Sequence, residues 1–482
     1  MEKQVLSALE PKSVFHFFEE LSRIPRESGN MEAVSDWAVD FAKERGLRRC
    51  QDTLGNVIIW KDASPGYEDH PAVILQGHLD MVCVQEPGSE HDFEKDPLDL
   101  YIDGDWVKAR GTTLGGDNGI AVAMILALLD DSTLAHPPIE AVFTVDEEVG
   151  LLGAKELDCS QLSGRKLINI DSEEEGVITA GCAGGARCDL KLSLPVERKS
   201  GIICEVLVSG LPGGHSGAEI HKNYANANRL LAQSLLDVPG LRLVSLEGGK
   251  QDNAIPNSAR AVVHLPRETS NNVAMQIYAA FDAANAPFNT PDNAEPTCGV
   301  SFEYPHILPE SLSPEDSRKV LELILAAPNG VQAMSQDIPG LVQTSLNLGI
   351  LRLEGGKLRL SWSVRSSVAA EKEELIGALQ ALAERNGGSF DRRGDYPAWE
   401  FRKDSPLRKT MVQVFRELSG GEPKVEAIHA GLECGLFAGK LEGLDAVSIG
   451  PDMRDIHSPR EKLSVSSVGR TWAYLTAVLA RL

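Results

Sequence analysis

Residues 119–130 read G-I-A-V-A-M-I-L-A-L-L-D and are apolar in nearly every helical direction. A helix of that kind is stable only where other elements cover it on all sides. It is too short to cross a bilayer, which takes about 20 apolar residues, and no other run in the chain approaches that length. The helix therefore belongs inside a layered, water-soluble fold. Its flanks say which one. Strand candidates at 56–60, 72–76, 140–145 and 166–170 alternate with helical stretches, among them amphipathic helices at 12–22 and 31–45. Asn30 reads as the cap of the second of these, and Gly46 as its stop. Strands alternating with helices imply an α/β fold, a mainly parallel sheet with helices on both faces.

Near residue 185 the texture changes. Two long strands over 186–210 precede a helix at 223–236, strands at 241–246 and 259–264, a helix at 271–284 and a strand at 299–304. That order is β-α-β-β-α-β, the ferredoxin-like pattern. Residues 315–394 read as a degenerate second copy, joined by the proline-bearing connector 305–314, P-H-I-L-P-E-S-L-S-P. The α/β texture returns after that, with a helix at 406–418 and a strand at 444–450. The expected organisation is one domain over 1–185 and 395–482, interrupted by an inserted α+β unit over 186–394. A length of 482 residues suits two domains.

A formal charge of −23 disfavours a nucleic-acid partner, because phosphate binding needs a basic face. No secretory h-region stands at the N-terminus. Eight cysteines without a C-x-x-C pair fit free thiols in a reducing cytoplasm. Any metal site must then rest on His, Asp and Glu.

Such residues gather where strands end. The stretch 73–85, V-I-L-Q-G-H-L-D-M-V-C-V-Q, ends an apolar run in His78 and Asp80. Residues i and i+2 of an extended chain point to one side, so Asp80 can hold one imidazole nitrogen of His78 while the other faces a metal. Strand 141–145 runs into D-E-E-V-G, with Asp146, Glu147 and Glu148. Strand 166–170 runs into D-S-E-E-E-G, beginning with Asp171. Strand 444–450 leads to His457, and Asp117 in G-T-T-L-G-G-D-N-G precedes the buried helix. In open α/β sheets the functional crevice lies beyond the carboxyl ends of the strands. Each feature alone also has a plainer account. His78 fits a structural histidine, Asp117 a helix cap, D-E-E a solvated turn, and Glu173 to Glu175 a charge run. Together they need a common neutralising cation, and mixed His and carboxylate donors suit Zn²⁺, Co²⁺ or Mn²⁺.

The motifs G-H-L-D-M-V, T-L-G-G-D-N-G, D-E-E-V-G and P-G-G-H-S-G, in this order, resemble those of the metal-dependent exopeptidase family that includes aminoacylase, glutamate carboxypeptidase and the carnosine-cleaving dipeptidases. The likeness is greatest to the bacterial Xaa-His dipeptidases of that family and covers most of the chain. It implies two zinc ions per subunit. His78 and Asp171 would bind one, Glu148 and His457 the other, and Asp117 would bridge them across a cis Asp117–Asn118 peptide. Asp80 would orient His78, and Glu147 would be the general base. His215 in P-G-G-H-S-G would match the histidine that stabilises the oxyanion, and Arg365 in S-W-S-V-R-S-S the arginine that holds the substrate's carboxylate. His429 in H-A-G-L-E-C-G would line the substrate's C-terminal side. From the residues alone, His215 also fits a loop histidine and Arg365 a surface strand arginine.

The expectation is a cytoplasmic metallo-dipeptidase acting on unblocked dipeptides, carnosine among them. Its inserted unit would serve as a lid that closes over the substrate, and it would form a homodimer with no membrane or nucleic-acid partner. The insert is larger than a single lid, which leaves open whether His215 serves its own subunit's site or a neighbour's. Rivals on the same fold are a tripeptide aminopeptidase and an N-acyl-amino-acid deacylase. A metal-binding but inactive scaffold is a third, and Glu147 argues against it, since binding metal requires no base beside the ligands. The run Gly181–Ala186, G-C-A-G-G-A, suggests a nucleotide loop only weakly, because no G-x-G-x-x-G opens a helix there.

Overall fold

The structure is a computed structural model that describes residues 4–199, 201–266, 272–289, 296–303 and 309–482. It divides into two units. One comprises Met1–Cys182, Phe401–Ala427 and Leu432–Leu482; the other comprises Ala183–Glu400 and Ile428–Gly431.

The first unit is built on an eight-stranded sheet. Its order is Arg48–Gln51, Val57–Lys61, Ile139–Thr144, Val73–His78, Lys166–Asn169, Asp445–Ser448, Val177–Cys182 and Lys424–Ile428. The four central strands, Ile139–Thr144 to Asp445–Ser448, pair in parallel. Antiparallel pairs flank them at Val57–Lys61 and Val177–Cys182. Every residue of Val73–His78 and Ile139–Thr144 is buried, so both faces of the sheet are covered. The all-apolar segment forms the helix Gly116–Asp130, buried from Asn118 to Leu129 and packed on Val73–His78 and on the helix Lys12–Leu21. The helix Glu32–Glu44 starts at Met31 without a side-chain cap, one residue later than Asn30 suggests. Its chain stops as expected at Gly46, φ +67°. Among the described residues no helix is long and apolar enough to cross a membrane.

The second unit holds a nine-stranded sheet whose described strand pairs are antiparallel. Ile202–Ser209, the helix Ala227–Leu235, Arg242–Gly248, Ala259–Leu265, the helix Val273–Asn285 and Thr297–Glu303 make one β-α-β-β-α-β half. Its strands lie in the spatial order 4-1-3-2. The other half takes Gly184–Ser193 as its first strand, then the helix Pro314–Ala326, the hairpin Val342–Glu354 and Lys357–Ser366, the helix Ala369–Arg385 and Ser389–Tyr396. Its order is 2-3-1-4, and the halves join where Leu246, Glu247 and Gly248 pair with Leu353, Arg352 and Leu351. One half is thus nested between the first strand and first helix of the other. The sequence reading gives both strands of 186–210 to the first copy. The structure gives Gly184–Ser193 to the second, because it pairs with Lys357–Ser366 and Ser389–Tyr396, partners no local pattern encodes. Residues 305–308 of the expected connector, 304 of the expected strand and 271 of the expected helix lie outside the described residues.

Gly184 and Gly185 form no phosphate loop, as the lack of a G-x-G-x-x-G opening a helix implies. They lie in a strand, where an added Cβ would meet Ala398 N and Tyr396 Oη at 2.5 Å, so they are small for close packing. His429, read as part of the 395–482 segment, belongs to the second unit. Ile428 O accepts from Ala183 N–H at 3.1 Å, and His429 Nε2 lies 2.7 Å from Ser345 Oγ.

Candidate metal centre

The four parallel strands end on one edge of the first unit's sheet. His78 closes Val73–His78, Asp146 to Glu148 follow Ile139–Thr144, Asp171 follows Lys166–Asn169, and Asp445–Ser448 leads on to His457. Local backbone turns the chain out at these points. Asp146, Asp455 and His457 take φ of 53°, 55° and 56°. Gly77 makes room behind the first histidine, where a Cβ would stand 2.6 Å from Asn118 Oδ1. That oxygen accepts the His78 backbone N–H at 3.1 Å, and Asn118 Nδ2 donates to Ile170 O at 2.6 Å. The Asp117–Asn118 peptide is cis.

Asp117 sits between two histidines. Its Oδ1 lies 3.2 Å from His78 Nε2, and its Oδ2 lies 3.2 Å from His457 Nε2. Asp171 Oδ1 is 3.6 Å from His78 Nε2, and Glu148 Oε1 is 3.0 Å from His457 Nε2. Donor atoms held about 2.0–2.1 Å from a tetrahedral cation lie about 3.3 Å apart. The spacings therefore fit one cation among His78, Asp117 and Asp171 and another among His457, Asp117 and Glu148. His78, Asp117 and Glu148 also offer atoms within 4.8 Å of one another, so the two trios form one contiguous cluster.

The electrostatics point the same way. Burial opposes charge on His78, yet hydrogen bonding to Asp117, Asp171 and Asp80 drives its pKa well up. Hydrogen bonds to Asp117 and Glu148 raise His457 to about 10. Burial, with Asp117 and Glu148 adding, pushes Asp171 up to about 6. Crowded carboxylates favour positive charge among them, which a bound cation would supply.

Asp80 lies 3.4 Å from His78 Nδ1. Its carboxylate also accepts from Ser28 Oγ at 2.8 Å and from the backbone N–H groups of Glu147 and Glu148 at 3.1 Å each. Burial works against this charge, but the His78 contact and those donors hold it down at about 2. Glu147 shifts the other way. Burial first, then the carboxylates of Asp171, Glu433 and Glu148, push its pKa well above the usual 4.5. Of the charge run, Glu175 is engaged by a forked ion pair with Arg470, both contacts at 2.6 Å.

Glu433 escaped the sequence reading although it stands in H-A-G-L-E-C-G. It is fully buried and accepts from Thr144 Oγ1 at 2.7 Å and from Gln76 Nε2, while Asn169 Nδ2 donates to Gln76 Oε1 at 2.6 Å. Burial, with Asp171 and Asp80 adding, pushes Glu433 up to about 7. The signal available in the sequence was polar residues inside otherwise apolar strands: Gln76, Thr144 and Asn169. Arg26 and Glu461 were missed as well.

The second unit gathers His215, Arg365 and His429. The backbone N–H groups of Gly217 and Ala218 donate to His215 Nδ1 at 3.3 and 3.0 Å. Burial and then Arg365 lower the pKa of His215, and because Nδ1 accepts both amides, Nε2 is the nitrogen that can carry a proton outward. Burial and then Arg365 push His429 down to about 3. Arg365 NH1 donates to Tyr396 Oη at 3.1 Å. At Gly217 an added Cβ would stand 2.6 Å from His429 O, 3.0 Å from His215 Cε1 and 3.3 Å from Arg365 Cζ, so all three line one spot.

A model of the family described as "Peptidase family M20/M25/M40" matches residues 74–481. The cytosol non-specific dipeptidase of Escherichia coli (strain K12) is 36% identical over 481 residues, covering 98% of each chain. Among solved structures, the aminoacylhistidine dipeptidase from Vibrio alginolyticus superposes with a TM-score of 0.92 at 35% identity, over 99% of this chain and 98% of that one. Aminopeptidase PepT from Bacillus cereus shares the fold, with a TM-score of 0.55 at 16% identity over 98% of each chain.

Proposed function

The chain belongs to peptidase family M20/M25/M40, and from that premise we propose that it is a dizinc dipeptidase of the cytosol, cleaving unblocked dipeptides that include the Xaa-His type such as carnosine. The supporting relatives are the two dipeptidases that match it over nearly its full length. The observation that carries the reading is Asp117, whose two carboxylate oxygens face two different imidazoles at 3.2 Å each. Mixed imidazole and carboxylate donors favour zinc, with cobalt or manganese as substitutes. The free state of all eight cysteines supports the reducing compartment. Assembly as a homodimer belongs to the same reading.

A cation pair held by His78, Asp171, Asp117, Glu148 and His457 would supply carbonyl polarisation and a water acidic enough to yield a nucleophile near neutral pH. This chain's own groups do the rest. Asp80 holds His78 at Nδ1, which leaves Nε2 free to ligate. Glu147 takes the water's proton on its carboxylate and returns it to the leaving amine nitrogen. His215 offers its Nε2–H to the oxyanion of the tetrahedral intermediate. Arg365 offers a planar fork to the substrate's terminal carboxylate. His429, neutral and bonded to Ser345, lines that end of the substrate.

The test is a panel of free dipeptides, tripeptides and N-acyl amino acids, run with and without a chelator. Dipeptide hydrolysis should vanish on chelation and return with zinc. Full activity in chelator removes the metal from the reading; cleavage of tripeptides or N-acyl amino acids alone moves it to another member of the fold. Arg365→Ala should raise KM for free dipeptides by about 10-fold or more, in line with a lost charged hydrogen bond of about 1.5–3 kcal/mol. C-terminally amidated dipeptides should be affected far less. Equal effects on both would argue against a carboxylate contact.

A further inference from the structure

Two buried charges that play no part in the chemistry above meet at the turn before the all-apolar helix. Arg26 is 1% exposed, and its guanidinium donates to three backbone carbonyls: Leu79 O at 3.0 Å, Asp80 O at 3.1 Å, and Gly115 O. Glu461 is 3% exposed and accepts four consecutive backbone N–H groups. Oε2 takes those of Leu114 and Gly115 at 2.8 and 3.0 Å; Oε1 takes those of Gly116 and Asp117 at 2.8 and 3.3 Å. Gly115 is held at both its amide and its carbonyl, in a left-handed conformation with φ +65°.

These two side chains also account for the glycines of G-G-D-N-G. A Cβ on Gly115 would stand 2.3 Å from Arg26 NH2, one on Gly119 2.7 Å from the same atom, and one on Gly116 3.2 Å from Glu461 Oε1. Asp117 itself sits at φ −79°, ψ 109°, outside helical geometry at the head of a helix. Its side-chain direction is therefore set by this turn rather than by the helix. A carboxylate that must present one oxygen to each of two imidazoles tolerates little rotation, and groups behind metal ligands fix such orientation.

We propose that Arg26 and Glu461 are positioning residues that grip the backbone of residues 114–117 at its carbonyls and its amides, and so set the bridging orientation of the Asp117 carboxylate. The proposal rests on the assignment of Asp117 as the bridging ligand made above.

Glu461→Gln tests it. The amide keeps the volume but can accept on only one of its two terminal atoms. Metal-free protein is titrated with zinc by calorimetry, alongside its melting curve and its kcat and KM. Zinc affinity should fall roughly 10–100-fold, with kcat reduced and KM for dipeptides little changed. Glu461→Asp should recover part of the affinity. A folded Glu461→Gln protein that binds two zinc ions with native affinity overturns the proposal. Should Glu461→Gln fail to fold, Gly116→Ala takes its place, since its methyl group would stand 3.2 Å from Glu461 Oε1 and press on the carboxylate by a few tenths of an ångström; a smaller weakening of zinc binding is then expected, and native binding overturns the proposal. Asp117→Asn, run in parallel, separates the two readings. Native zinc binding there removes Asp117 as a ligand and the positioning role with it, whereas loss there beside native binding in the Glu461 and Gly116 variants removes the positioning role alone.

Discussion

Glu147→Gln should lower kcat by about 10²–10⁴-fold while the protein keeps its bound metal, because on the proposed reading the carboxylate moves a proton and does not hold a cation. Its backbone N–H is pinned to Asp80 Oδ1 at 3.1 Å. Among the described residues its side chain forms no hydrogen bond or ion pair, so the carboxylate is free to meet a water. Burial and the surrounding carboxylates push its pKa up, which brings a base closer to its working pH. A base works above its pKa, so kcat/KM should fall on the acid side as Glu147 takes up its proton. The Gln variant should lack that limb. Stopped assays across pH, with metal content measured by mass spectrometry, check both parts. Near-native turnover in the Gln variant would take Glu147 out of the mechanism.

Asp117→Asn should be more damaging still. The amide turns one ligating oxygen into an N–H₂ donor facing an imidazole, and it removes a negative charge that both trios share. Zinc affinity should drop by at least about 100-fold, beyond the effect expected of a group behind the ligands, and turnover should fall below detection. Dialysis against buffer followed by metal analysis gives the content. Two zinc ions retained per chain would sink the assignment of Asp117 as a bridge.

Much of this architecture was readable because it is written locally. Largely apolar strands that run on into His or carboxylates, toward His78, Glu147, Asp171 and His457, mark both the parallel sheet and the edge where these residues gather. The all-apolar helix could be placed from twelve residues. What could not be read depends on partners far apart in the chain. Glu461 looks like one more acid in a charged loop after His457, and Arg26 like one more surface arginine after Pro25. Only the fold brings both to the same turn and shows why Gly115, Gly116 and Gly119 lack side chains. Glu433 hid in the same way, since a glutamate in H-A-G-L-E-C-G carries no mark of full burial. His429 falls in the second unit because four residues, 428–431, pass into it and back, a switch with no composition signal.

The nesting of one α+β half within the other has a consequence for synthesis on the ribosome. The inner half has all its strands once Thr297–Glu303 has emerged and can fold at once. Gly184–Ser193 cannot, because both its neighbours, Lys357–Ser366 and Ser389–Tyr396, are made much later. At about 5–20 residues per second, that strand waits on the order of ten seconds with Cys188, Leu190 and Leu192 uncovered. The nascent chain thus exposes a sticky apolar edge beside a finished module, and chaperone holding should matter most in that interval.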